Sequence, residues 1–419
     1  MWGGGLTDPT AEHFFDSNLE QDWNYLGSLV CSTSWRTPST ELANGRFNFT
    51  KSESRHIKRI FGSAANSFVP EKHRYLGGSF GSPEKFQFLQ PHNVENLISA
   101  DLVDIVTGGS DGLQRLSVRG TDGGTKDIYC QRLVFAAGTI GNAYLTFLTT
   151  GHNCFQIGNH LSAIVGTVYF RDPRRISSFL QTWNSDETSF ITLSLPLSIR
   201  KSLDIGHSGI RFHPIPPPPL KCEIRRTFVS FIKKFYSPKS LMSFVLSLVD
   251  LLYFIVSHKR LNYGFQVHVL ADVRPNVLNF LRFNSAMNNH AFASLEIGLD
   301  ENCLEELREL MQRLILGLNS GTNISNLDIP CYVDGMVSKQ LLTKYEWLDS
   351  AHYFSTLPMG GKSPNQSVNI DFAIEGQRNI YAVGASSFPV GNHGHPTLLT
   401  ILMAKTFARK LSQELLQPK

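Results

Sequence analysis

The chain has 419 residues, of which 42% are hydrophobic and 18% are charged, and its formal net charge is +4. This length allows two domains with substantial cores, and the composition excludes an intrinsically disordered protein. So small a net charge gives no support for nucleic-acid binding.

The chain opens with Trp2 and three successive glycines, Gly3, Gly4 and Gly5. Because glycine has no Cβ, such a run lets the backbone pass very close to another group. A contact with a ligand and a frayed chain end both explain the pattern, and the residues alone leave the two open.

Residues 97–106, 113–120 and 127–135 alternate between apolar and polar types, and Asp-Gly pairs stand between them. Asp-Gly is a strong hairpin signal, so the pattern predicts a three-stranded antiparallel meander. Its last strand runs into small residues that end at Ala137 and Gly138, which predicts a buried strand, a tight turn and a helix. Small residues at this turn would let the backbone approach a ligand.

The segment 225–260 is unusually apolar and is flanked by cations. Within it, residues 241–256 are apolar except for two serines and Asp250. The run is too short for a transmembrane helix and carries an acid in its middle. Two interpretations stay open: a buried core helix, or a helical hairpin that lies on a membrane surface.

Three further segments predict the body of a substrate domain. Residues 263–283 predict two strands of an antiparallel sheet, and residues 291–297 predict a third. Residues 301–318 predict an amphipathic helix, because their leucines recur at helical spacing.

Near the C-terminus, the short apolar run 380–383 is bounded by Gly384 and predicts a buried strand that ends in a loop. Pro396 and Thr397 stand where the first turn of a helix begins. Such a helix directs free N–H groups and its positive dipole end at the loop before it. This arrangement predicts an anion site.

Two histidines frame this region. His352 opens the motif His-x-x-Ser-Thr-x-x-Met-Gly, and His395 opens His-Pro-Thr-Leu-Leu-Thr, with Val-Gly-Ala-Ser-Ser-Phe-Pro between them. In order and spacing, these three pieces resemble the C-terminal signature of the glucose-methanol-choline (GMC) oxidoreductases. The chain departs from that signature at Ser355, where the family has glycine, and at Gly384, where it has aspartate.

The resemblance implies a flavoprotein that uses FAD to oxidise an alcohol, most plausibly a sugar or another polyol. It also implies that His352 is the catalytic base and that His395 hydrogen-bonds the substrate oxygen. Nine residues are implied to contact the cofactor: Trp2, Gly3, Gly4, Ala137, Gly138, Gly384, Ala385, Pro396 and Thr397.

The implied chemistry is physically consistent. Oxidation of a C–OH group needs a hydride acceptor, which no side chain provides, so a cofactor is required. An imidazole titrates near working pH and accepts the hydroxyl proton only when it is neutral. The helix N-terminus at Thr397 would stabilise negative charge on the reduced cofactor.

One element of the family has no match. The Gly-x-Gly-x-x-Gly turn, which holds the ADP half of FAD, does not occur in the sequence. We interpret the flavin domain as N-terminally truncated. Two alternatives stay open: a pseudoenzyme that binds no FAD and acts only as a binding module, and a partner chain that supplies the ADP site.

The predicted fold is therefore α/β, with an FAD/NAD(P)-binding-like layered domain and an antiparallel-sheet substrate domain. The flavin domain is expected to comprise residues 1–30, 92–165 and 362–419. The substrate domain is expected to comprise residues 31–91 and 166–361.

The six cysteines are scattered, and no two of them have Cys-x-x-Cys spacing. This pattern favours reduced thiols in a cytoplasmic protein and predicts no metal site. Peripheral membrane contact through 225–260 is the second interpretation of the location, and the sequence does not indicate an oligomeric state.

Overall fold

The computed structural model of the protein describes residues 5–7, 55, 58, 68–75, 101–107, 113–170, 189–215, 224–225, 228–229, 232, 241–242, 244–246, 248–249, 251–252, 264–284, 292–320, 324–360, 364–391 and 397–416. Within these residues the fold is mixed α/β, and antiparallel sheets predominate. The predictions for Trp2, Gly3, Gly4, His395 and Pro396 lie outside the described residues.

In chain order the strands are β1 (Gly5–Thr7), β2 (Val69–Tyr75), β3 (Asp101–Val106), β4 (Gln114–Arg119), β5 (Thr125–Cys130), β6 (Leu133–Phe135), β7 (Cys154–Gln156), β8 (Asn159–Phe170), β9 (Ser189–Ser194), β10 (Gly209–Pro214), β11 (Gly264–Val273), β12 (Phe280–Asn284), β13 (Phe292–Glu296), β14 (Ile324–Asp328), β15 (Tyr332–Val333), β16 (Met336–Val337), β17 (Leu348–Asp349) and β18 (Ile380–Ala382). The helices are α1 (Gly138–Thr150), α2 (Leu197–Leu203), α3 (Glu301–Ser320), α4 (Lys339–Leu342) and α5 (Thr397–Leu416), and a 3-10 turn covers Ala385–Ser387.

The largest sheet has the strand order β1-β2-β9-β10-β11-β8-β14, and the short strand β17 also pairs with β8. All its pairs are antiparallel. The long strands β8 and β11 pair from end to end, with one irregularity of register between Val267 and His268. Because side chains alternate along a strand, this sheet has one apolar face and one polar face.

Helix α3 packs on the apolar face and confirms the predicted amphipathic helix. Its residues Leu307, Leu310 and Met311 are fully buried in the same cluster as Val267 and Ala271 of β11. The helix begins at a cap in which the Cys303 N–H donates to Asp300 Oδ1 (2.8 Å). Burial of this leucine stripe accounts for most of the core between helix and sheet.

A second core lies around a parallel pair of strands, β6 and β18. The predicted strand at 380–383 is confirmed, since Ile380 and Ala382 are fully buried in β18. On β6, by contrast, Phe135 is buried and Val134 is exposed. The predicted buried strand before Gly138 is therefore only half-buried, because only one of its sides faces the core.

The predicted meander is confirmed as the sheet β3-β4-β5. Its third segment divides, however, because β5 ends at Cys130 and β6 leaves the sheet. The reason is a competing partner: the Leu133 N–H donates to the Asn379 carbonyl (2.9 Å), which starts the pairing of β6 with β18.

The prediction that residues 263–283 and 291–297 form neighbouring strands of one sheet is wrong in part. Strand β11 belongs to the large sheet, whereas β12 pairs with β13 and β7 in a separate three-stranded sheet. Both edges of β11 are already occupied by β8 and β10, so β12 cannot pair with it. The chain turns between the two sheets at Asn276, whose carbonyl accepts from the Asn279 N–H (3.2 Å).

The described residues between 224 and 252 are helical. Most of their large apolar side chains, among them Phe228, Leu241 and Leu252, are exposed, which differs from the buried core helix that was one of two interpretations. No helix within the described ranges is both long enough and apolar enough to cross a membrane.

Candidate active site

His352 lies in the short segment after β17, beside the start of β8. The next residue but one, Phe354, forms a bridge with Gly158, in which each N–H donates to the other residue's carbonyl (3.0 Å). Burial and the positive charge of Arg211 lower the pKa of His352 below its usual value, and Asp349 partly opposes this shift. The imidazole is therefore neutral at neutral pH and able to accept a proton.

A second histidine, His160 on β8, stands beside His352. The two ring centroids are 5.6 Å apart, with the rings at 75° to each other. His160 Nε2 lies 3.9 Å from Asp272 Oδ1, and both side chains are buried. His160 and Asp272 were not identified as site residues from the sequence. In the sequence each of them is only one polar residue within a strand of alternating residue types.

Behind Asp272 lies a second buried carboxylate, Glu306 of α3. The Ser208 N–H donates to Glu306 Oε1, and the His207 N–H donates to Asp272 Oδ2 (3.1 Å). Burial and the nearby charge of Asp272 raise the pKa of Glu306 to about 7, while the Ser208 hydrogen bond opposes the shift. Burial and the nearby charge of Asp272 therefore favour the protonated form of Glu306.

The polar face of the large sheet continues away from His160. Arg211 of β10 stands opposite His268 of β11, and its Nε donates to Thr192 Oγ1 (3.1 Å). The His268 ring lies 4.1 Å from the ring of His213. Burial, His268 and Arg211 lower the pKa of His213 to about 4. This face therefore carries hydrogen-bonding groups and one permanent positive charge.

Phe354 is held between two glycines, Gly158 and Gly391. A Cβ at either position would overlap its ring, and a Cβ at Gly391 would also overlap Asp272 Oδ1. The Phe354 ring lies 5.7 Å from that of His160. The two glycines therefore fix the position of the Phe354 ring, which packs beside His160. We call this ring the floor of the site, and His160 and His352 the histidine pair.

The carboxyl ends of β6 and β18 meet at one edge, since the two strands are parallel. Gly138 follows β6 with a φ of 75°, and Gly384 follows β18 with a φ of 129°. Among the described residues, no heavy atom lies within 4 Å of the position of a Cβ at either glycine, and Ala137 and Gly138 are exposed. The structure thus brings together two of the predicted cofactor loops, here called the loop junction (residues 136–139 and 383–387).

Asn142 of α1 holds the loop junction together. Its Oδ1 accepts from the Ala137 N–H (2.8 Å). Its Nδ2 donates to the Val383 carbonyl (3.2 Å) and to Ser386 Oγ (2.8 Å). The side chain is fully buried, and sequence reasoning missed it because an asparagine in the first turn of a helix is an ordinary residue there.

The loop junction is also tied to the segment of His352. Thr139 Oγ1 donates to the Tyr353 carbonyl (2.6 Å), and Thr356 Oγ1 donates to the Thr139 carbonyl (3.0 Å). The Ser355 N–H donates to the Ala385 carbonyl (3.0 Å). These bonds set His352 at a defined position relative to Gly138 and Gly384.

Ser355 departs from the family signature, and its backbone explains why glycine suits the position. Its φ is 69°, in the left-handed region that glycine adopts readily. The side chain is nevertheless accommodated and buried.

Helix α5 begins at Thr397, as predicted, and β1 lies against this helix. Gly5 of β1 pairs with Tyr75 of β2. The glycines before Gly5 and the loop before Thr397 lie outside the described residues, so the positions of His395 and Pro396 stay predictions.

A cavity of about 470 Å³ lies beside this segment, with Asn159, Leu161, Gly298, Trp347 and Asp349 among its lining residues. Asn159 Nδ2 donates to Asp349 Oδ1 (2.7 Å). His352 does not line the cavity, so the cavity is not assigned to the reacting substrate.

No protein-family model and no curated protein matches the chain. Among solved structures, pyridoxine 4-oxidase from Mesorbium loti has a TM-score of 0.44 and 12% sequence identity, over 75% of this chain and 57% of that one. A FAD-dependent oxidoreductase from Chaetomium thermophilum has a TM-score of 0.41 and 12% identity, over 76% of this chain and 61% of that one. The chain thus spans about three fifths of the length of each, and at this level neither likeness identifies its fold or its function.

Proposed function

We propose that the protein is an FAD-dependent oxidoreductase that acts on the CH–OH group of a sugar or another alcohol. The observation that supports this most directly is the link between His352 and the loop junction. Thr139 and Ser355 tie a neutral imidazole to two adjoining glycine turns at the ends of parallel strands. Base and cofactor loops would then face one another.

The loop junction fits a flavin on two grounds. No other described residue occupies the space where a Cβ would stand at Gly138 or Gly384, so a flat ring or a diphosphate can approach the backbone there. The first turn of α1 carries no acidic residue, which leaves its positive end available to an anionic group. Ligands of α/β folds commonly bind at the carboxyl ends of parallel strands, as here.

When bound, FAD supplies the acceptor for the hydride that leaves the alcohol carbon. His352 would take the hydroxyl proton at a ring nitrogen, and the loss of this proton together with the hydride leaves a carbonyl. Asp349, which raises the pKa of His352, offsets the positive charge that the ring then acquires. In the GMC signature His395 would donate a hydrogen bond to the substrate oxygen.

The choice of a sugar or polyol is supported by the polar face of the large sheet. Arg211, Gln266 and His268 stand on that face and offer donors and acceptors to further hydroxyl groups. A face that hydrogen-bonds the hydroxyl groups of a substrate would discriminate against substrates that lack them.

The test starts with the purified chain mixed with FAD and freed of excess. We expect a retained flavin absorbance in the near-ultraviolet and blue, which an anaerobic panel of sugars and polyols bleaches. The variant His352→Gln should retain the flavin and lose the bleaching. A protein that stays colourless would contradict the proposal and favour a binding module, or an ADP site on a partner chain.

A further inference from the structure

The segment 225–260 presents an apolar surface at helical spacing. Leu241, Val245, Leu248 and Leu252 recur at intervals of three and four residues, and all four are exposed. Such a row lies along one side of a helix. Core helices bury this kind of stripe, so its exposure here marks a surface that interacts with something other than water.

The two helical parts of the segment contact each other. The rings of Phe228 and Phe244 lie 5.6 Å apart, so the two helical parts pack against each other at this point, and we call them the hairpin. Apolar side chains of both parts are exposed, and together they define the exposed hairpin face: Phe228, Val229, Ile232, Leu241, Met242, Val245, Leu248, Val249 and Leu252.

The charge of the segment indicates the partner. Residues 225–260 contain seven Lys and Arg and one acid, Asp250, a net charge of +6. The whole chain has a net charge of +4, so the remaining residues have a net charge of −2. In the sequence, positive charge is therefore concentrated in the segment that carries the exposed hairpin face, as in segments that bind anionic lipid surfaces.

A second copy of the chain fits this surface less well. In a symmetric dimer the same patch faces itself, which would place two segments of net charge +6 against each other. Such a contact is repulsive, whereas an anionic membrane offers the opposite charge and an apolar interior.

We propose that the hairpin docks on an anionic phospholipid surface, with the exposed hairpin face at the boundary between headgroups and acyl chains. The hairpin lies on the membrane and does not span it, because its apolar run at residues 241–256 is too short for a membrane crossing and holds Asp250. This inference does not depend on the flavin chemistry. Combined with the proposed function, it means that the protein meets its substrate or electron acceptor near a membrane.

The experiment is flotation of the purified full chain with two kinds of vesicle, phosphatidylcholine alone and phosphatidylcholine with phosphatidylserine. We expect flotation with the second kind at low salt, and weaker flotation as salt rises. The matched pair of variants is Leu252→Gln and Leu415→Gln, since both leucines are 63% exposed and only the first belongs to the hairpin.

Leu252→Gln should weaken binding about tenfold, because it removes apolar area from the contact, and Leu415→Gln should leave binding unchanged. Arg225→Gln should weaken binding to the anionic vesicles and reduce its salt dependence. Loss of flotation by the wild-type chain, or equal effects of the two leucine variants, would overturn the proposal. The proposal would also be overturned if the wild-type chain binds no vesicles and sedimentation shows that it is an oligomer which Leu252→Gln dissociates.

Discussion

The large sheet with α3 and the loop junction hold their parts together by different means. The sheet and its helix share an extensive apolar core, in which Leu307, Leu310 and Val267 are fully buried. The loop junction joins segments about 245 residues apart in the chain through a few hydrogen bonds that centre on Asn142. We infer that the sheet and α3 tolerate substitutions better than the loop junction does. Many apolar contacts stabilise the former, so the loss of one costs little, whereas the loop junction depends on the hydrogen bonds of one buried asparagine.

The largest effect should come from the residue that links the two regions. His352→Gln is expected to lower kcat about 10²- to 10⁴-fold, because it removes the base without touching either core. The measurement is the rate of flavin bleaching under anaerobic conditions, with flavin content and thermal unfolding as controls. A variant that loses flavin and activity together would argue for a structural role instead.

The loop junction itself is tested by Asn142→Ala. The change removes three hydrogen bonds and leaves buried polar groups unpaired, so we expect a loss of about 3 kcal/mol of stability. Thermal unfolding and flavin retention measure it. Thr149→Val on the same helix is the control, since that hydroxyl bonds only the Leu145 carbonyl (2.7 Å), and an equal loss there would contradict the special role of Asn142.

The floor beneath the histidines is tested by Gly391→Ala. A methyl group there would overlap both Phe354 and Asp272, so we expect a stability loss of about 2 kcal/mol and displacement of the histidine pair. Gly298→Ala is the matched control, because no atom of another described residue lies within 4 Å of its Cβ position. Equal melting temperatures for the two variants would show that the floor can move aside.

In the scaffold, Glu306 links stability to pH. Its pKa is raised to about 7 in the folded protein and is near 4.5 in the unfolded chain, so the folded state binds the extra proton between these values. Stability from this group is complete below about pH 4.5 and is lost as pH rises through about 7. Glu306→Gln, which keeps an acceptor for Ser208, should therefore be more stable than the wild type at pH 8 by about 3 kcal/mol. Chemical denaturation at pH 5 and pH 8 checks this, and a constant difference would contradict it.

The smallest effect concerns the titration of His352. Because its pKa is lowered, kcat/KM should rise with pH to a midpoint below 6.5 and then level off. Asp349 raises the pKa of His352, so Asp349→Asn should move the midpoint further down. An upward shift would show that another group controls the profile.

Local patterns in the sequence predicted those helices, strands and turns whose formation depends on residues close together in the chain. The leucine spacing of α3, the Asp-Gly turns of the meander and the apolar run of β18 each carry their signal within a few residues. The residues up to Gly138 were likewise predicted as a close-approach turn, and Gly384 was predicted to bound a strand that ends in a loop.

Tertiary structure decided which strands became neighbours. The sequence placed β11 and β12 in one sheet, but the edges of β11 were taken by β8 and β10. It could not show that β6 would pair with β18, because parallel pairing depends on segments distant in the chain.

The site shows the same division. From the sequence alone came the types of residue that the chemistry needs: a histidine, small residues at turns and a helix start. Only the fold decided that His160 stands against His352, that Asp272 stands behind it and that Asn142 joins both loops. The physical reason is that burial, pKa and hydrogen bonding belong to the arrangement of several segments, whereas residue type and periodicity belong to each segment by itself.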